Sequence, residues 1–499
     1  MSFGVNLENF KNLAAKQGMV TNYREILDDI DTPVSVYAKL QMKSADTFLF
    51  ESVIGGEKIG RYSFIGYKAL EILKSYAGDP YEMLSLRLDQ INKGSTQISK
   101  ELPFFHQGFV GYFSFETIKY IEPSIVMQRS DYPEAYLILV GSMVVFDHVM
   151  HKIYLISNSL IDDKTKLDDI YQNSIIELDE IEALIRTESS LDRLDINLTK
   201  DSSQIDPQAS GFISNTGNEA YKQMVEISKT HIKEGDIFQV VPSHKLRKDI
   251  QVDPLKAYRI LRSVNPSPYL FLFNLTLKDL ATVSLVGSSP EMIVKSSFKE
   301  GGLEAEVRPI AGTYARGASD AEDTKLAAKL LNDTKEIAEH IMLIDLARND
   351  LGRVCENGSI KVPQNMIIEK YSHVLHIVSS VTGRIKSDLG YKSGIELMKA
   401  CFPAGTLSGA PKVEAIKIIS ALEKEARGLY GGGIGYFGLD GMVDVAIMIR
   451  TMIIEANTVT LQAGGGVVAD SDPVKELQET YNKAGALIKV INLATDLVI

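Results

Sequence analysis

One apolar segment, residues 135–146, limits what this chain can fold into. It is interrupted only at Gly141 and Ser142, and it is shorter than the ~20 apolar residues that a helix needs to cross a bilayer. A run of this kind is typical of buried strands, and residues 109–115 have the same β-rich character. The sequence therefore predicts buried strands rather than a transmembrane helix.

Length and charge narrow the class of protein further. The chain has 499 residues, enough for two or more domain-sized units, and its 53 Lys and Arg against 65 Asp and Glu give a formal charge of -12. This charge repels phosphate backbones and anionic lipids, so neither a nucleic-acid partner nor a membrane partner is expected. Two cysteines are too few for a disulfide framework, and residues 1–18 lack a signal-peptide pattern, so a cytoplasmic location is expected. The chain contains no tryptophan.

A polar, aperiodic stretch at residues 189–218 divides the chain. It predicts a domain boundary or a long surface excursion, so we expect an amino-terminal region over 1–200 and a second region over 215–499. Both regions are expected to mix helices and strands. Apolar periodicity predicts helices at 164–185, 221–234, 333–346 and from Pro473, the last with a buried stripe of Leu477, Tyr481, Ala484 and Ile488. It predicts strands at 269–273, 285–294, 374–382 and within residues 431–454.

Two Glu-x-x-Glu pairs lie on predicted helices. Glu336 and Glu339 are three residues apart, as are Glu476 and Glu479, so each pair lies on one helix face. If the two helices converge, four carboxylates would face one cavity, and Mg²⁺, which prefers oxygen ligands, would offset their repulsion. Each pair alone also has an ordinary explanation, because Asp333 and Glu336 have capping-box spacing and exposed glutamates at this spacing are common.

Two glycine-rich stretches and one histidine allow more than one interpretation. Residues 431–435 and 464–466 adjoin strand-like sequence, where glycine permits a tight turn or the close approach of a ligand, although strand bulges are the simpler explanation. Neither stretch matches a nucleotide-binding loop. His376 lies on an alternating strand, where a histidine is more often a core residue than a catalyst. Cys355 and Cys401 lack a basic local motif that would favour a reactive thiolate.

A series of sequence blocks runs along the chain in a fixed order. The blocks are GDIFQVVPS (235–243), NPSPYLF (265–271), GSSPE (287–291), RPIAGTYARG (308–317), KEIAEHIMLIDLARNDLGRV (335–354), HVLHIVSSVTG (373–383), FPAGTLSGAPK (402–412), YGGGIGYFG (430–438), AIMIRT (446–451), QAGGG (462–466) and KELQETYNKA (475–484). They resemble the chorismate-binding enzymes, and most closely the large subunits of anthranilate synthases. Residues 48–66 resemble the tryptophan feedback element of that family, with Phe50 in place of a leucine.

The resemblance implies a fold and a reaction. The fold is α+β, a four-layer α/β/β/α sandwich of two packed mixed, largely antiparallel sheets with the active site between them. The implied lyase reaction adds ammonia to C2 of chorismate as the 4-hydroxyl leaves, giving 2-amino-2-deoxyisochorismate. Loss of pyruvate then gives anthranilate, the first committed step of tryptophan biosynthesis. Mg²⁺ held by the four glutamates would clamp the ring carboxylate of this dianionic substrate.

The resemblance also implies roles for other residues. Glu291 would protonate the departing hydroxyl, His376 would assist pyruvate elimination, and Thr313 would complete the anion contacts. Tyr430 and Arg450 would hold the enolpyruvyl carboxylate. Further substrate contacts are expected at Gly464, Gly465, Gly466 and Lys483, and contacts to a tryptophan inhibitor at Glu51, Ser52, Arg61, Pro266, Pro268, Tyr269 and Phe271.

Two positions distinguish the sibling reactions of the family. Isochorismate and salicylate synthases place a water-activating lysine where this chain has Gln239, whose amide cannot deprotonate water, so ammonia is the expected nucleophile. Aminodeoxychorismate synthases commonly carry a nucleophilic lysine where this chain has Ala311, which can form no covalent adduct. Aminodeoxychorismate synthase component I is the alternative enzyme, and an inactive tryptophan-binding regulatory subunit is the alternative of another class.

The ammonia is expected to come from a second protein. Neither cysteine lies in the glycine-rich elbow that a glutamine amidotransferase needs for its nucleophile. We therefore expect a separate glutaminase subunit, in a hetero-oligomer of two synthase and two glutaminase subunits. Tryptophan would act as a feedback inhibitor at the domain junction.

Overall fold

The computed structural model describes residues 4–54, 58–92, 102–189, 191–195, 206–278, 281–371 and 374–496. Its α-helices are α1 (Leu7–Ala14), α2 (Pro33–Leu40), α3 (Pro80–Asn92), α4 (Ile118–Ile121), α5 (Leu167–Ile185), α6 (Asn218–Glu234), α7 (Pro254–Val264), α8 (Asp320–Leu330), α9 (Thr334–Gly352), α10 (Ser393–Cys401), α11 (Gly405–Ser408), α12 (Lys412–Leu422) and α13 (Pro473–Asp496). Its strands are β1 (Met19–Leu27), β2 (Thr47–Glu51), β3 (Val53–Ile54), β4 (Lys58–Ile59), β5 (Tyr62–Ser75), β6 (Gly108–Phe113), β7 (Ala135–Asp147), β8 (Lys152–Leu160), β9 (Ile213–Ser214), β10 (Gln239–Val240), β11 (Ser243–Asp249), β12 (Tyr269–Thr276), β13 (Thr282–Ser289), β14 (Met292–Lys299), β15 (Gly302–Val307), β16 (Ile310–Ala315), β17 (Lys361–Lys370), β18 (Val374–Arg384), β19 (Gly409–Ala410), β20 (Gly433–Gly438), β21 (Val443–Ile447), β22 (Thr451–Glu455) and β23 (Thr458–Gly464). Among the described helices, none joins the length and the apolarity that crossing a bilayer requires.

Strand β7 is where two ribbons of antiparallel strands meet. All of its residues are buried, as its apolar sequence predicts. Strand β5 runs along one edge of β7, while β6 pairs with the first half of the other edge and β8 with the second half. One ribbon continues in the order β7-β5-β2-β12-β13-β22-β23-β11. The other continues in the order β7-β6-β20-β21-β14-β15-β18.

The expected mixed α+β fold with largely antiparallel sheets is confirmed, since every strand pairing in the described part of the chain is antiparallel. The four-layer arrangement stays a prediction. The two predicted regions share both ribbons, because β2 pairs with β12 and β6 pairs with β20. The end of the predicted amino-terminal region, residue 200, lies outside the described residues.

Most predicted elements are present with shifted ends. The helices predicted at 164–185, 221–234, 333–346 and from Pro473 are α5, α6, α9 and α13, and the strands predicted at 269–273 and 374–382 are β12 and β18. The single strand predicted at 285–294 is wrong. Strand β13 ends at Ser289 and β14 begins at Met292, because Pro290 has no N–H to donate to a strand ladder. Glu291 therefore lies in the connection between two strands.

Helix α13 is held against the sheet by the stripe that its sequence predicts. Leu477, Tyr481, Ala484 and Ile488 are all buried in one apolar cluster together with residues of α6 and α7. Burial of each large apolar side chain stabilises the fold by about 1.5–3 kcal/mol. This packing fixes the orientation of the opposite side of the helix, which carries the second glutamate pair.

Candidate active site

The first turns of α9 carry the first glutamate pair, Glu336 and Glu339. Asp333 caps the helix by accepting hydrogen bonds from the backbone N–H groups of Lys335 and Glu336, at 3.1 and 3.3 Å. The Glu336 carboxylate reaches Gly312, where its Oε2 lies 3.3 Å from the place that a Cβ would occupy. Burial raises the pKa of Glu336, and the nearby Glu339 carboxylate raises it further. Asp333 therefore caps α9, and the glutamate pair on the same helix remains available to face the cleft.

The second glutamate pair lies on the first turns of α13. Glu476 Oε1 accepts a 2.7 Å hydrogen bond from the Ser471 hydroxyl, whereas Glu476 Oε2 is buried and has no hydrogen-bond partner among the described residues. That second oxygen lies 2.9 Å from the Cβ position of Gly465. Glu479 forms a 2.7 Å ion pair with Lys483. A buried carboxylate oxygen without a donor is costly, so Glu476 fits a bound cation.

Gln239 links the two pairs. It lies on the short strand β10, which pairs with β19, and its Nε2 donates to Glu339 Oε1 at 3.3 Å. The same nitrogen lies 3.0 Å from the Cβ position of Gly466, next to the glycine that approaches Glu476. Helices α9 and α13 therefore face one cleft, across Gln239 and the glycines that follow β23.

The glycines at 464–466 line this cleft because their neighbours leave no room for side chains. The Tyr430 hydroxyl lies 3.1 Å from the Cβ position of Gly464, and Lys483 Nζ donates to the Gly464 carbonyl oxygen at 3.0 Å. The Gly465 N–H donates to the Tyr221 hydroxyl at 3.2 Å. The close approach of neighbouring side chains to the backbone, rather than a strand bulge, accounts for these glycines.

Arg450 places a positive charge beside the cleft. Its backbone φ of 50° is the left-handed conformation that a residue with a Cβ adopts only at a cost. Burial lowers the pKa of its guanidinium, while Tyr430 and Glu479 raise it. Among the residues that the structure describes, this guanidinium has no ion-pair partner. An unneutralised guanidinium suits a substrate carboxylate, which its planar donors can bind in a bidentate manner.

His376 lies on strand β18 and contacts the neighbouring strand β16. Its Nδ1 lies 2.9 Å from the Thr313 hydroxyl and 3.3 Å from the Gly312 carbonyl oxygen. A carbonyl oxygen can only accept, so the latter contact assigns the proton to Nδ1 and leaves Nε2 as the basic nitrogen. Burial lowers the pKa of His376 and favours the neutral imidazole, which is the form that can accept a proton.

Glu291 has the properties of a proton donor. It lies in the connection between β13 and β14, and its Oε1 accepts a 2.9 Å hydrogen bond from the Thr406 hydroxyl. Burial raises the pKa of Glu291 to about 7, although Thr406 and the more distant Lys483 lower it. A carboxyl group with this pKa keeps a proton available near neutral pH.

All of the cleft residues lie within a match to a known protein family. The family model described as chorismate binding enzyme matches residues 48–489, a range that includes every residue named so far in this subsection. The chain belongs to the chorismate-binding enzymes. The approach of the two glutamate pairs to one another, across Gln239 and the glycines at 464–466, agrees with this membership.

Several curated relatives of this chorismate-binding enzyme are anthranilate synthase component 1 proteins. The chain is 41% identical to the one from Synechocystis sp., over 97% of this chain and 98% of the relative. It is 40% identical to the one from Acinetobacter calcoaceticus, over 98% of this chain and 99% of the relative. The crystal structure of anthranilate synthase component I from Streptococcus pneumoniae TIGR4 matches with a TM-score of 0.73 at 32% identity, covering 86% of this chain and 92% of that one. The menaquinone-specific isochorismate synthase from Escherichia coli shares the fold, with a TM-score of 0.71 at 19% identity over 97% and 98% of the two chains.

This chorismate-binding enzyme also has a cavity of about 520 Å³ at the end of β2. The predicted inhibitor residues Glu51, Ser52, Arg61, Pro268 and Tyr269 line it, with aromatic side chains that include Phe50, Tyr62, Phe64, Phe104, Phe105 and Tyr436. The structure differs from expectation at Pro266, which is not part of the wall, and at Phe271. Phe271 is fully buried in the core because its ring fills the space over Gly287, so it is not available to a ligand.

Some contacts of the predicted inhibitor residues had no local signal in the sequence of this chorismate-binding enzyme. Glu51 accepts a 2.7 Å hydrogen bond from the Tyr258 hydroxyl and forms a 2.8 Å ion pair with Arg262, although both partners are more than 200 residues away. Arg61 pairs with Asp147 at 3.0 Å. Such pairs arise only when distant strands meet, so no spacing rule could reveal them.

Proposed function

We propose that this protein is an anthranilate synthase component 1, which converts chorismate and ammonia into anthranilate and pyruvate through 2-amino-2-deoxyisochorismate. One observation carries the proposal: a single cleft combines the unsatisfied carboxylate oxygen of Glu476, suited to a divalent cation, with the unneutralised Arg450, suited to an organic carboxylate. A dicarboxylate substrate such as chorismate matches both features. The names of the curated relatives support this reaction over its siblings.

The four glutamates would hold Mg²⁺, some of them through water. The bound ion would supply the positive charge that clamps the ring carboxylate and offsets the repulsion between a dianion and an acidic protein. The orphaned Glu476 oxygen supports this assignment, as does Glu336, whose pKa is raised by burial and by the Glu339 carboxylate. Gln239 donates to Glu339 and so orients one of these carboxylates.

The chain's own residues would bind the substrate and move its protons. Arg450 and Tyr430 would hold the enolpyruvyl carboxylate, assisted by Lys483 and the backbone N–H groups of Gly464 and Gly466, because the Gly465 N–H already donates to the Tyr221 hydroxyl. Ammonia forms a bond to C2 of the ring while Glu291 protonates the 4-hydroxyl, which leaves as water. His376 Nε2 then accepts the proton from C2 as the enolpyruvyl C–O bond breaks and the ring becomes aromatic. The released enolate takes up a proton to become pyruvate. Thr313, 2.9 Å from His376 Nδ1, keeps the imidazole in place.

An assay of the purified protein with chorismate, MgCl₂ and an ammonium salt tests the proposed function. Formation of fluorescent anthranilate is expected. Accumulation of aminodeoxychorismate would instead identify the sibling enzyme, a reaction that Ala311 disfavours because it offers no nucleophile. Absence of any chorismate turnover would favour a regulatory subunit and contradict the proposal.

Replacement of His376 by glutamine is expected to uncouple the two half-reactions. The amide cannot accept a proton at Nε2, so elimination should slow by about 10²-fold while addition of ammonia continues. Chromatography of the products should then show the aminated intermediate in place of anthranilate. Equal loss of both steps would contradict the role of His376 in elimination. Ser380→Ala, on the same strand, is a control that should leave the product ratio unchanged.

The same proposal extends to partners, location and architecture. We propose that a separate glutaminase subunit supplies the ammonia, that two copies of each subunit assemble, and that the complex works in the cytoplasm. A four-layer arrangement with the cleft between two sheets is part of the proposal. We also propose tryptophan as an inhibitor that occupies the cavity at Glu51 and Ser52, with its indole against the aromatic wall.

Binding of tryptophan can be measured without a label because the chain contains none. The emission of added tryptophan is expected to shift on binding, since the indole enters a largely aromatic cavity. Glu51→Gln should weaken this binding by about tenfold, the usual value of one hydrogen bond to a charged group. Ser297→Ala, which alters the same wall without removing a charge, is the control. Wild-type protein that gives neither a shift nor inhibition would contradict the inhibitor site while leaving the synthase activity untouched.

A further inference from the structure

Arg427 is a buried arginine outside the cleft whose contacts reach three segments of it. Its side chain is 1% exposed and forms a 2.7 Å ion pair with Glu423. Nη1 donates to the Leu407 carbonyl oxygen at 2.7 Å, and Nη2 donates to the Val241 carbonyl oxygen at 2.5 Å. The guanidinium carbon lies 5.5 Å from the centre of the Tyr430 ring. One side chain therefore contacts residues that are far apart in sequence.

Each contacted segment carries a group of the proposed mechanism. Leu407 directly follows the threonine whose hydroxyl donates to Glu291. Val241 directly follows β10, the strand that carries Gln239. Tyr430 itself borders Gly464 and is one of the proposed substrate ligands. A displacement of the guanidinium would therefore disturb the acid, the glutamine and the carboxylate site together.

The guanidinium is held firmly where it is. Glu423 accepts from Arg427 Nε at 3.0 Å and, with its other oxygen, from the backbone N–H and the hydroxyl of Ser243, both at 2.8 Å. The ring of Phe115 covers the guanidinium carbon at 4.5 Å. Lysine could not replace this arrangement, because a single ammonium cannot reach two carbonyl oxygens and a carboxylate in the fixed fork geometry of arginine.

We propose that Arg427 is a positioning residue for the reaction, which keeps Tyr430, the segment before Leu407 and the strand of Gln239 in register with one another from outside the cleft. The proposal rests on the proposed function for the roles of those groups. It does not assign Arg427 any contact with substrate. Its effect is geometric, and a displacement of about 1 Å at reacting groups can cost about 10²-fold in rate.

The test compares Arg427→Lys with Arg24→Lys. Arg24 forms a similarly buried pair, 2.6 Å from Glu182, between β1 and α5 and away from the cleft, so its replacement controls for the loss of a buried ion pair. Chorismate consumption and anthranilate formation are measured separately, with ammonium chloride as the nitrogen source, below the unfolding temperature of each variant. Arg427→Lys is expected to lower kcat/KM for chorismate by about 10- to 100-fold, with KM raised and kcat lowered. Arg24→Lys should leave both constants within about twofold, although its Tm falls.

Each outcome decides one question. Kinetics of Arg427→Lys within about twofold of wild type, or an equal loss in Arg24→Lys, would overturn the positioning role. If Arg427→Lys does not fold, Glu423→Gln replaces it, since this variant leaves Arg427 present but weakens its anchor; an unchanged kcat/KM would again overturn the proposal. Chorismate consumption by wild type without anthranilate would overturn the proposed function alone, because consumption still reports on the position of the cleft residues.

Discussion

Replacement of Glu291 by glutamine is expected to lower kcat for anthranilate formation by about 10²- to 10⁴-fold, the range found when a general acid is lost. The amide has the same size and can still accept the hydrogen bond from Thr406, so the cleft should keep its shape. It has no acidic proton to give to the departing hydroxyl. Steady-state assays with chorismate and ammonium measure the loss, and a kcat within about threefold of wild type would exclude Glu291 as the acid.

The pH dependence of this carboxyl provides a second readout. Because burial raises its pKa to about 7, wild-type kcat is expected to fall as the pH rises through about 7, and the glutamine variant should lack this decline. The same shift affects stability, since the folded state binds the proton more tightly than the unfolded state, where the pKa is near 4.5. This stabilisation is full below the unfolded-state pKa and is lost as the pH rises to about 7. Glu291→Gln should therefore raise the Tm more above neutral pH than near pH 5.

Asp440→Asn is the matched control for these effects. Burial raises the pKa of Asp440 to about 6, so its replacement should change stability with pH in the same direction. Asp440 lies between β20 and β21, where it accepts a 2.9 Å hydrogen bond from the Met442 N–H, and it is not part of the cleft. Its replacement should leave kcat unchanged. The comparison separates proton donation from the general effect of a buried carboxyl group.

Glu336→Gln is expected to lower activity by about 10²- to 10³-fold at saturating Mg²⁺, because stabilisation of charge by a metal ion is worth several kcal/mol. Without Mg²⁺ the variant should be more stable than wild type. Burial and the neighbouring Glu339 carboxylate disfavour the Glu336 charge, and the amide removes it. The rise in Tm that Mg²⁺ produces in wild type should shrink in the variant, and this can be measured without any turnover.

Glu180→Gln controls for the change in net charge. Glu180 is an exposed residue of α5, remote from α9 and α13, so neither activity nor the Mg²⁺-dependent Tm should change. If Glu336→Gln kept both the wild-type activity and the wild-type Mg²⁺ response, the metal site would not include α9. A normal response in Glu476→Gln as well would remove the metal from the proposal entirely.

Local periodicity predicted the helices that carry the carboxylates, and the reason is physical. The stripe from Leu477 to Ile488 must be buried for α13 to be stable. The positions buried in the structure are therefore the apolar positions that recur at helical spacing in the sequence. The prediction of a single strand at 285–294 was wrong because apolar periodicity carries no information about backbone N–H groups. Pro290 lacks this group, so the strand ends before it. The position of Glu291 in a connection was therefore not predictable from apolar pattern alone.

The sequence placed each glutamate pair on a helix, but it could not show that the two helices converge, because that depends on the tertiary structure. Gln239 lies on β10, whereas the glycines at 464–466 lie at the end of β23 and directly after it, and no spacing rule relates these two segments. The family resemblance supplied the grouping, whereas the residues alone allowed an ordinary cap and exposed side chains. The positioning role proposed for Arg427 also had no signal in the sequence, because it depends on contacts with Leu407 and Val241, which lie 20 and 186 residues away.

The exchange of strands between the two regions determines how the chain can reach its native state. Strand β12 has β2 on one edge and β20 has β6, so a catalytic region made without the first 200 residues would expose two unpaired edges that invite aggregation. Neither ribbon can form all of its strand pairs until both regions have left the ribosome. Folding then depends on contacts that are distant in sequence, which makes it slow and exposes partly paired strands in the meantime. The amino-terminal and carboxy-terminal regions of this chain are therefore expected to fold only together.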